Sequence, residues 1–425
     1  MENKINKHLI YRICFFIILF TIFNITIYGY FISKSAIIIL NIIATILLIL
    51  CNSKSKKRKY NILLTIGLIV ILFLYVFRND ELNLNPIGCI WYIFIIFIAF
   101  ILQFSSEWTK DFYPIINIFT IEHVIGTYFC YFFPSYYKEN ILPILSNNYG
   151  YSDLINQING NMIAGFTSNY GINATYLIIG LIIIFCNTLQ KEKINYWDII
   201  KIIIVLFAVI LTGKRGTLIF GILTMLITFI TYNKDKIFKK IFKIILYAIF
   251  IFIAIAIVSQ FMPGLNLVFN RIFDSDNLLN GRGFLYKNAW NLFINHPLFG
   301  IGWGNFKYYI SNNFYLGQVN VHNMYLQLLC ETGIIGTFII LFFIFFTLKL
   351  TYSLLKNNNY NEYKTEITTS FAIQLYLVLI GISSTPIYGV ECLYPYLISA
   401  MIPYVIYLNS NTNNLRKVKK NESEN

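Results

Sequence analysis

Apolar runs long enough to cross a bilayer follow one another along most of this chain, and that succession constrains the fold more than any motif in it. A hydrocarbon core about 30 Å thick needs about 20 residues of helix. Inside it every backbone amide and carbonyl must be paired within the helix itself. Reading runs of roughly 17 to 25 residues as spans gives about twelve: 9–32, 36–51, 61–77, 86–104, 112–133, 165–186, 197–212, 215–232, 241–261, 333–354, 369–386 and 391–408. Composition agrees, with 57% apolar and 12% charged residues where soluble domains carry about a quarter charged. The expected fold is an all-α polytopic membrane protein with about twelve transmembrane helices and one large helical extracytoplasmic loop. Spans 1–9 occupy 1–261, the loop 262–332, the last three spans 333–408, and a basic cytoplasmic tail 409–425.

The formal charge of +14 raises nucleic acid as a partner, and the placement of the cations argues against it. With the amino terminus inside and the sides alternating at each span, inner segments hold 24 of the 33 Lys and Arg and outer segments nine. Lys54, Lys56, Lys57, Arg58 and Lys59 form one inner cluster, Lys234 to Lys243 another, and Arg416 to Lys420 a third. This is positive-inside asymmetry, so membrane lipids are expected partners and nucleic acid is not. Both termini are then cytoplasmic. Met1 to His8 is short and basic, but the apolar run after it is too long for a signal-peptide core, which makes it a retained first span. The seven Cys are scattered, mostly in spans, with no C-x-x-C pair, so they imply neither a disulfide framework nor a metal site.

The same alternation places 262–332 and the turn Gly213-Lys214-Arg215-Gly216 outside the cytoplasm. Arg215, Arg282 and His322 therefore share one face. Glycine beside Lys214, Arg215 and Arg282 permits close approach of a ligand to the backbone. If the turn opens the span that follows, its free amides form an anion site at a helix start, to which Arg adds a planar fork matching phosphate oxygens. The bland alternative is a pair of solvated boundary arginines.

Within the loop, Phe284, Leu285, Ala289, Trp290, Phe293 and Ile294 recur at helical spacing from Arg282 to Asn295, and Pro297 ends the pattern. That predicts an amphipathic helix at the interface with Trp290 as anchor. The following Gly300-x-Gly302-x-Gly304 lacks the preceding strand and third-glycine offset of a dinucleotide fingerprint and reads as a tight re-entrant turn. His322 is expected to begin a further helix with Tyr325, Leu326 and Leu329 on one face, offering a neutral imidazole as proton acceptor; the alternative is a His satisfied by a carbonyl. His296 reads as structural, while His8 and His123 stand apart. Glu331 is a supporting candidate that caps a helix or holds a partner such as Arg282, or is simply hydrated. Tyr136, Tyr137, Asn147, Asn148, Tyr149 and Tyr151 in the outer segment 134–160 suit sugar binding and equally suit a membrane interface.

The pattern Arg282-Gly-Phe with Trp290, then His296-Pro-Leu-x-Gly-x-Gly, then His322-Asn323-x-Tyr-Leu-Gln with Glu331-x-Gly resembles the shared domain of O-antigen polymerases (Wzy) and O-antigen ligases, over residues 205–345. The resemblance implies a metal-independent, inverting membrane glycosyltransferase of the GT-C-like superfamily in the bacterial cytoplasmic membrane, without a cofactor. Donor and acceptor would be oligosaccharides on undecaprenyl pyrophosphate, with a chain-length regulator as possible protein partner. Arg215 and Arg282 would bind the pyrophosphate and stabilise it as leaving group, and His322 would orient or deprotonate the acceptor hydroxyl. Lys214 departs from the family pattern, which often has a small or polar residue there, and is either a further phosphate contact or tolerated.

A polymerase and a ligase differ in acceptor, since the ligase needs lipid A core. The abundance of Ile, Asn, Lys, Tyr and Phe hints at an AT-rich genome and so favours a capsular or exopolysaccharide repeat-unit polymerase. Two other classes compete. A lipid-linked oligosaccharide flippase would carry internal repeats and buried mid-membrane charges, whereas these spans are nearly free of charge. A metal-dependent transferase would use acidic residues such as Asp80-Glu81 or Asp274-x-Asp276.

Overall fold

A computed structural model describes residues 2–24, 34–53, 86–146, 151–160, 162–232, 282–314 and 317–424. The expected spans 61–77 and 241–261, the basic clusters at 54–59 and 234–243, and the acidic pairs Asp80-Glu81 and Asp274-x-Asp276 lie outside them. The described residues are helical, without strands. Five helices among them are long and apolar enough to cross a membrane: Glu107–Phe132, Tyr170–Leu189, Arg215–Tyr232, Met324–Lys356 and Val390–Leu408; Ala36–Cys51 is a shorter apolar helix. The chain is an all-α membrane protein.

It divides into two compact units that do not follow chain order. One combines Met1–Tyr11, Thr45–Lys110 and Leu279–Asn425, the other Arg12–Ala44 and Asp111–Leu278.

In the Asp111–Leu278 unit the helix Tyr170–Leu189 is central and packs against Phe112–Phe132, Tyr196–Leu211 and Arg215–Tyr232. Small residues let these helices approach closely, as apolar burial alone does not drive association in lipid. A Cβ on Gly180 would fall on the Thr120 side chain, and one on Gly221 on Ile178. His123 is buried in an aromatic group, its ring 4.7 Å from that of Tyr176 and 6.1 Å from that of Phe23.

In the Leu279–Asn425 unit the helices Met324–Lys356, Lys364–Ile380 and Val390–Glu424 pack on one another, and Pro86–Leu102 packs on the last. Buried polar links cross them. Gln374 Nε2 donates to Thr351 Oγ1 at 2.8 Å and to Ser370 Oγ at 3.0 Å, and Ser370 Oγ donates to the Ser399 carbonyl at 2.6 Å.

Two span limits differ from the sequence reading. The run expected to begin at 165 becomes helical only at Tyr170, because Asn169 turns back to accept from the Gly171 amide at 2.6 Å and caps the helix there. The run expected over 369–386 begins earlier, at Lys364, and stops at Ile380. Pro386 follows a Ser-Ser-Thr stretch, and a residue before proline is pushed out of the helical region. The turn at 381–385 left by this early stop seats much of the candidate site.

Candidate active site

The segment 282–332 of the Leu279–Asn425 unit has a small core of its own. The helix Arg282–Asn295 forms at the limits read from the sequence, and it turns Leu285, Ala289 and Leu292 inward onto Phe306, Ile310, Val321 and Cys330. Those inward positions fall at i, i+4 and i+7, one helical face. Phe284, Trp290 and Ile294 stay exposed. The helix ends in a turn closed by the Gly300 amide donating to the His296 carbonyl at 2.9 Å, and the His296 side chain is exposed.

The glycine run is a tight turn, with Gly300, Gly302 and Gly304 all at positive φ. Its purpose is visible at Gly333, where the helix Met324–Lys356 breaks at φ 65°. A break frees carbonyls before it and amides after it, and both sets are recovered by the turn. Ile301 and Gly302 amides donate to the Cys330 and Glu331 carbonyls at 2.9 and 2.8 Å, while Ile334 and Ile335 amides donate to the Pro297 and Leu298 carbonyls at 2.8 and 3.3 Å. Backbone meets backbone here. A Cβ on Gly300 would collide with the main chain of Glu331 and Thr332, and one on Gly333 with that of Leu298 and Phe299.

Glu331 locks the same turn from inside. Its side chain is fully buried and accepts from the Gly304 amide at 2.8 Å, the Phe306 amide at 3.2 Å and Gln327 Nε2 at 3.2 Å. A carboxylate over the first amides of the Asn305–Phe314 helix satisfies orphan donors and complements the helix dipole. Gln327 extends the network, accepting from the Val321 amide at 3.1 Å and donating to Asn320 Oδ1 at 3.1 Å. Of the two roles considered for Glu331 beyond simple hydration, the structure shows the cap; Arg282 is held elsewhere.

Arg282 Nη1 donates to the Ser383 carbonyl at 3.1 Å. Asn323 Nδ2 donates to the Ile382 carbonyl at 3.2 Å, and the Met324 amide donates to the Gly381 carbonyl at 2.7 Å. Three consecutive carbonyls of the 381–383 turn thus collect the arginine, the asparagine and the start of the helix. Tyr325 adds a hydroxyl bond to the Val378 carbonyl at 2.6 Å. Asn323 also caps the helix, its Oδ1 accepting from the Leu326 amide at 3.0 Å. The helix therefore begins at Met324, two residues after the expected start. His322 lies just outside it, half-buried and in the left-handed region at φ 60°, a conformation uncommon for residues with a side chain. Gly283, beside the arginine, is exposed, and among the described residues nothing lies within 4 Å of a Cβ built on it. Trp303, within the glycine turn, stacks its ring on that of Tyr388 at 4.3 Å.

In the other unit the turn at 213–214 does open a helix, Arg215–Tyr232. Gly213 takes φ 68° and Thr212 Oγ1 accepts from the Lys214 amide at 3.3 Å. The Lys214 carbonyl accepts the first helical bond, from the Leu218 amide at 3.2 Å, so the helix starts directly after Lys214. Lys214 Nζ sits 5.2 Å over the Tyr170 ring, at the start of the Tyr170–Leu189 helix. Two helix starts and a lysine thus meet around Gly171. The sequence reading saw the Gly-Lys-Arg-Gly turn and missed Asn169 to Gly171, whose polar cap had been absorbed into an apolar run.

Among the described residues no group of three or more His, Cys, Asp or Glu converges to hold a metal ion. Residues 200–341, about a third of the chain, match the family model for O-antigen ligase. The chain carries an O-antigen ligase family domain. No curated protein matches the sequence. The O-antigen ligase match takes in Lys214, Arg215, Arg282, His322, Asn323 and Glu331, in agreement with the resemblance read from the motifs. It stops short of the 381–383 turn, which no sequence motif had singled out.

Proposed function

We propose that this protein is a polysaccharide repeat-unit polymerase acting at the extracytoplasmic face of the bacterial cytoplasmic membrane. In this reading it transfers a growing glycan from undecaprenyl pyrophosphate to the non-reducing end of a lipid-linked repeat unit, with inversion and without a metal. The observation that carries the reading is the seating of Arg282 and Asn323 on the adjacent carbonyls of Ser383 and Ile382. Arg282 and the asparagine next to His322 are thereby held on one turn, and both residues fall within the O-antigen ligase family domain.

The chemistry follows from those groups. The acceptor hydroxyl attacks the anomeric carbon on the face opposite the pyrophosphate. The bond from that carbon to the phosphate oxygen breaks, and its electron pair leaves with the pyrophosphate. Arg282 and Arg215, with Lys214, stabilise the negative charge that develops there. His322 takes the hydroxyl proton. Asn323 and Glu331 act as positioning residues, one holding the helix start beside His322 and the other holding the glycine turn.

The deciding experiment supplies membranes containing the protein with a defined lipid-linked repeat unit in the presence of EDTA, and follows products on a gel. A ladder that is lost in Arg282→Ala supports the polymerase. Transfer that appears only on adding lipid A core assigns a ligase, and no transfer in either case returns the choice to transport.

A further inference from the structure

The Asp111–Leu278 unit holds a half-open cavity of about 480 Å³ between the helices Phe112–Phe132, Tyr170–Leu189 and Tyr196–Leu211, a size that suits a small-molecule site. None of the residues assigned to glycan transfer lines it. Its lining changes character from one end to the other. One end carries Asn117, Asn187, Lys191, Asp198 and Lys201, and the other is closed by Ile121, Val124, Ile184 and Val205. From Asn117 to Val124 is seven residues, about 10 Å along a helix. The cavity is therefore an amphipathic slot.

Three observations state what fits it. First, Tyr196 and Trp197, at the start of one lining helix, are 65% and 56% exposed, as expected for an aromatic belt at headgroup depth. That places the polar end at a membrane surface. Ile121 and Ile204, exposed at 61% and 43%, flank the slot on the lipid side. Second, Lys191 Nζ is bound to Asp198 Oδ1 at 2.6 Å, whereas Lys201 has no carboxylate within 4 Å among the described residues. The polar end thus carries one unbalanced positive charge. Third, Asn117 Oδ1 is buried with no hydrogen-bond partner among the described residues, and a buried acceptor left unpaired is costly.

We propose that this slot binds one anionic phospholipid whose headgroup carries hydroxyls. The phosphate meets Lys201, a headgroup hydroxyl donates to Asn117 Oδ1 once that side-chain amide turns into the slot, and an acyl chain runs down between Ile121, Ile184 and Val205. The site is separate from glycan transfer and does not depend on that reading.

The test is native mass spectrometry of the purified full-length protein titrated with phosphatidylglycerol, phosphatidylcholine or undecaprenyl phosphate, repeated with inorganic phosphate as competitor. One phosphatidylglycerol should be retained about tenfold more tightly than phosphatidylcholine. Lys201→Gln, a change at an exposed side chain, should erase that preference, and Val205→Trp should abolish retention by filling the slot. Equal retention of the two phospholipids would overturn the proposal, as would an unchanged preference in Lys201→Gln. Preferred retention of undecaprenyl phosphate would make the slot a carrier-lipid site instead, and displacement by inorganic phosphate a free-anion site; either result also overturns it.

Discussion

The two glycine-flanked cationic stations are built in opposite ways. At Lys214 and Arg215 the backbone is set by its own neighbours, a positive-φ glycine at 213, the Thr212 hydroxyl on the Lys214 amide, and a helix that starts at Arg215, while the Lys214 ammonium lies over the Tyr170 ring. Arg282 opens its helix too, but its guanidinium is held by a carbonyl 101 residues away, in a turn that also holds Asn323 and Met324. A cation on a locally built turn keeps its backbone placement under distant changes. A remotely seated one depends on packing that no nearby residue controls.

That difference sets up tests, from the largest effect to the smallest. His322→Ala should lower ladder formation by about 100-fold to 10,000-fold at unchanged protein abundance, as loss of a general base does; full activity would demote His322 to packing. Arg282→Lys should lower it by about 100-fold to 1,000-fold despite keeping the charge, because an ammonium cannot replace the planar fork. Gly381→Val probes the remote seat without touching a charged group. A Cβ there already meets the Met324 side chain at 2.8 Å and the Val378 carbonyl oxygen at 3.2 Å, so a larger side chain should displace the turn. About a 100-fold loss is expected in a protein that still purifies as a folded species, since an ångström of misplacement costs that much. Normal activity in Gly381→Val would break the contrast between the stations. Asn323→Ala removes a cap and a tether, and should destabilise the protein by about 1 kcal/mol in a thermal melt in detergent. Lys214→Ala should be mildest, with less than about tenfold loss of activity, because the Arg215 guanidinium remains as the planar phosphate partner. A loss as large as that of Arg282→Lys would show that the lysine carries the pyrophosphate.

Where the sequence reading and the structure agree, short-range rules were enough. The helix Arg282–Asn295 was legible from spacing and from Pro297, the span at Arg215–Tyr232 from its apolar run, and the glycine turn from three glycines at alternate positions. Where they differ, a side chain chose a partner that spacing does not reveal. Asn169 and Asn323 each turned a stretch read as helix into a cap. At 381–385 the sequence reading ran a span on to 386, and only the packed helices show a turn there whose carbonyls receive Arg282 and Asn323.

By itself the sequence determined that this chain is an all-helical membrane protein. Hydrophobic length and helical period are properties of consecutive residues, and the membrane enforces them. Only the tertiary structure decided that Glu331 is a buried cap, that Gly300 and Gly333 exist to let two backbones touch, and that His322 stands outside its helix. Each of those depends on pairing groups that are distant in the chain. A buried donor or acceptor left unmatched is expensive, and which distant group satisfies it is settled by packing.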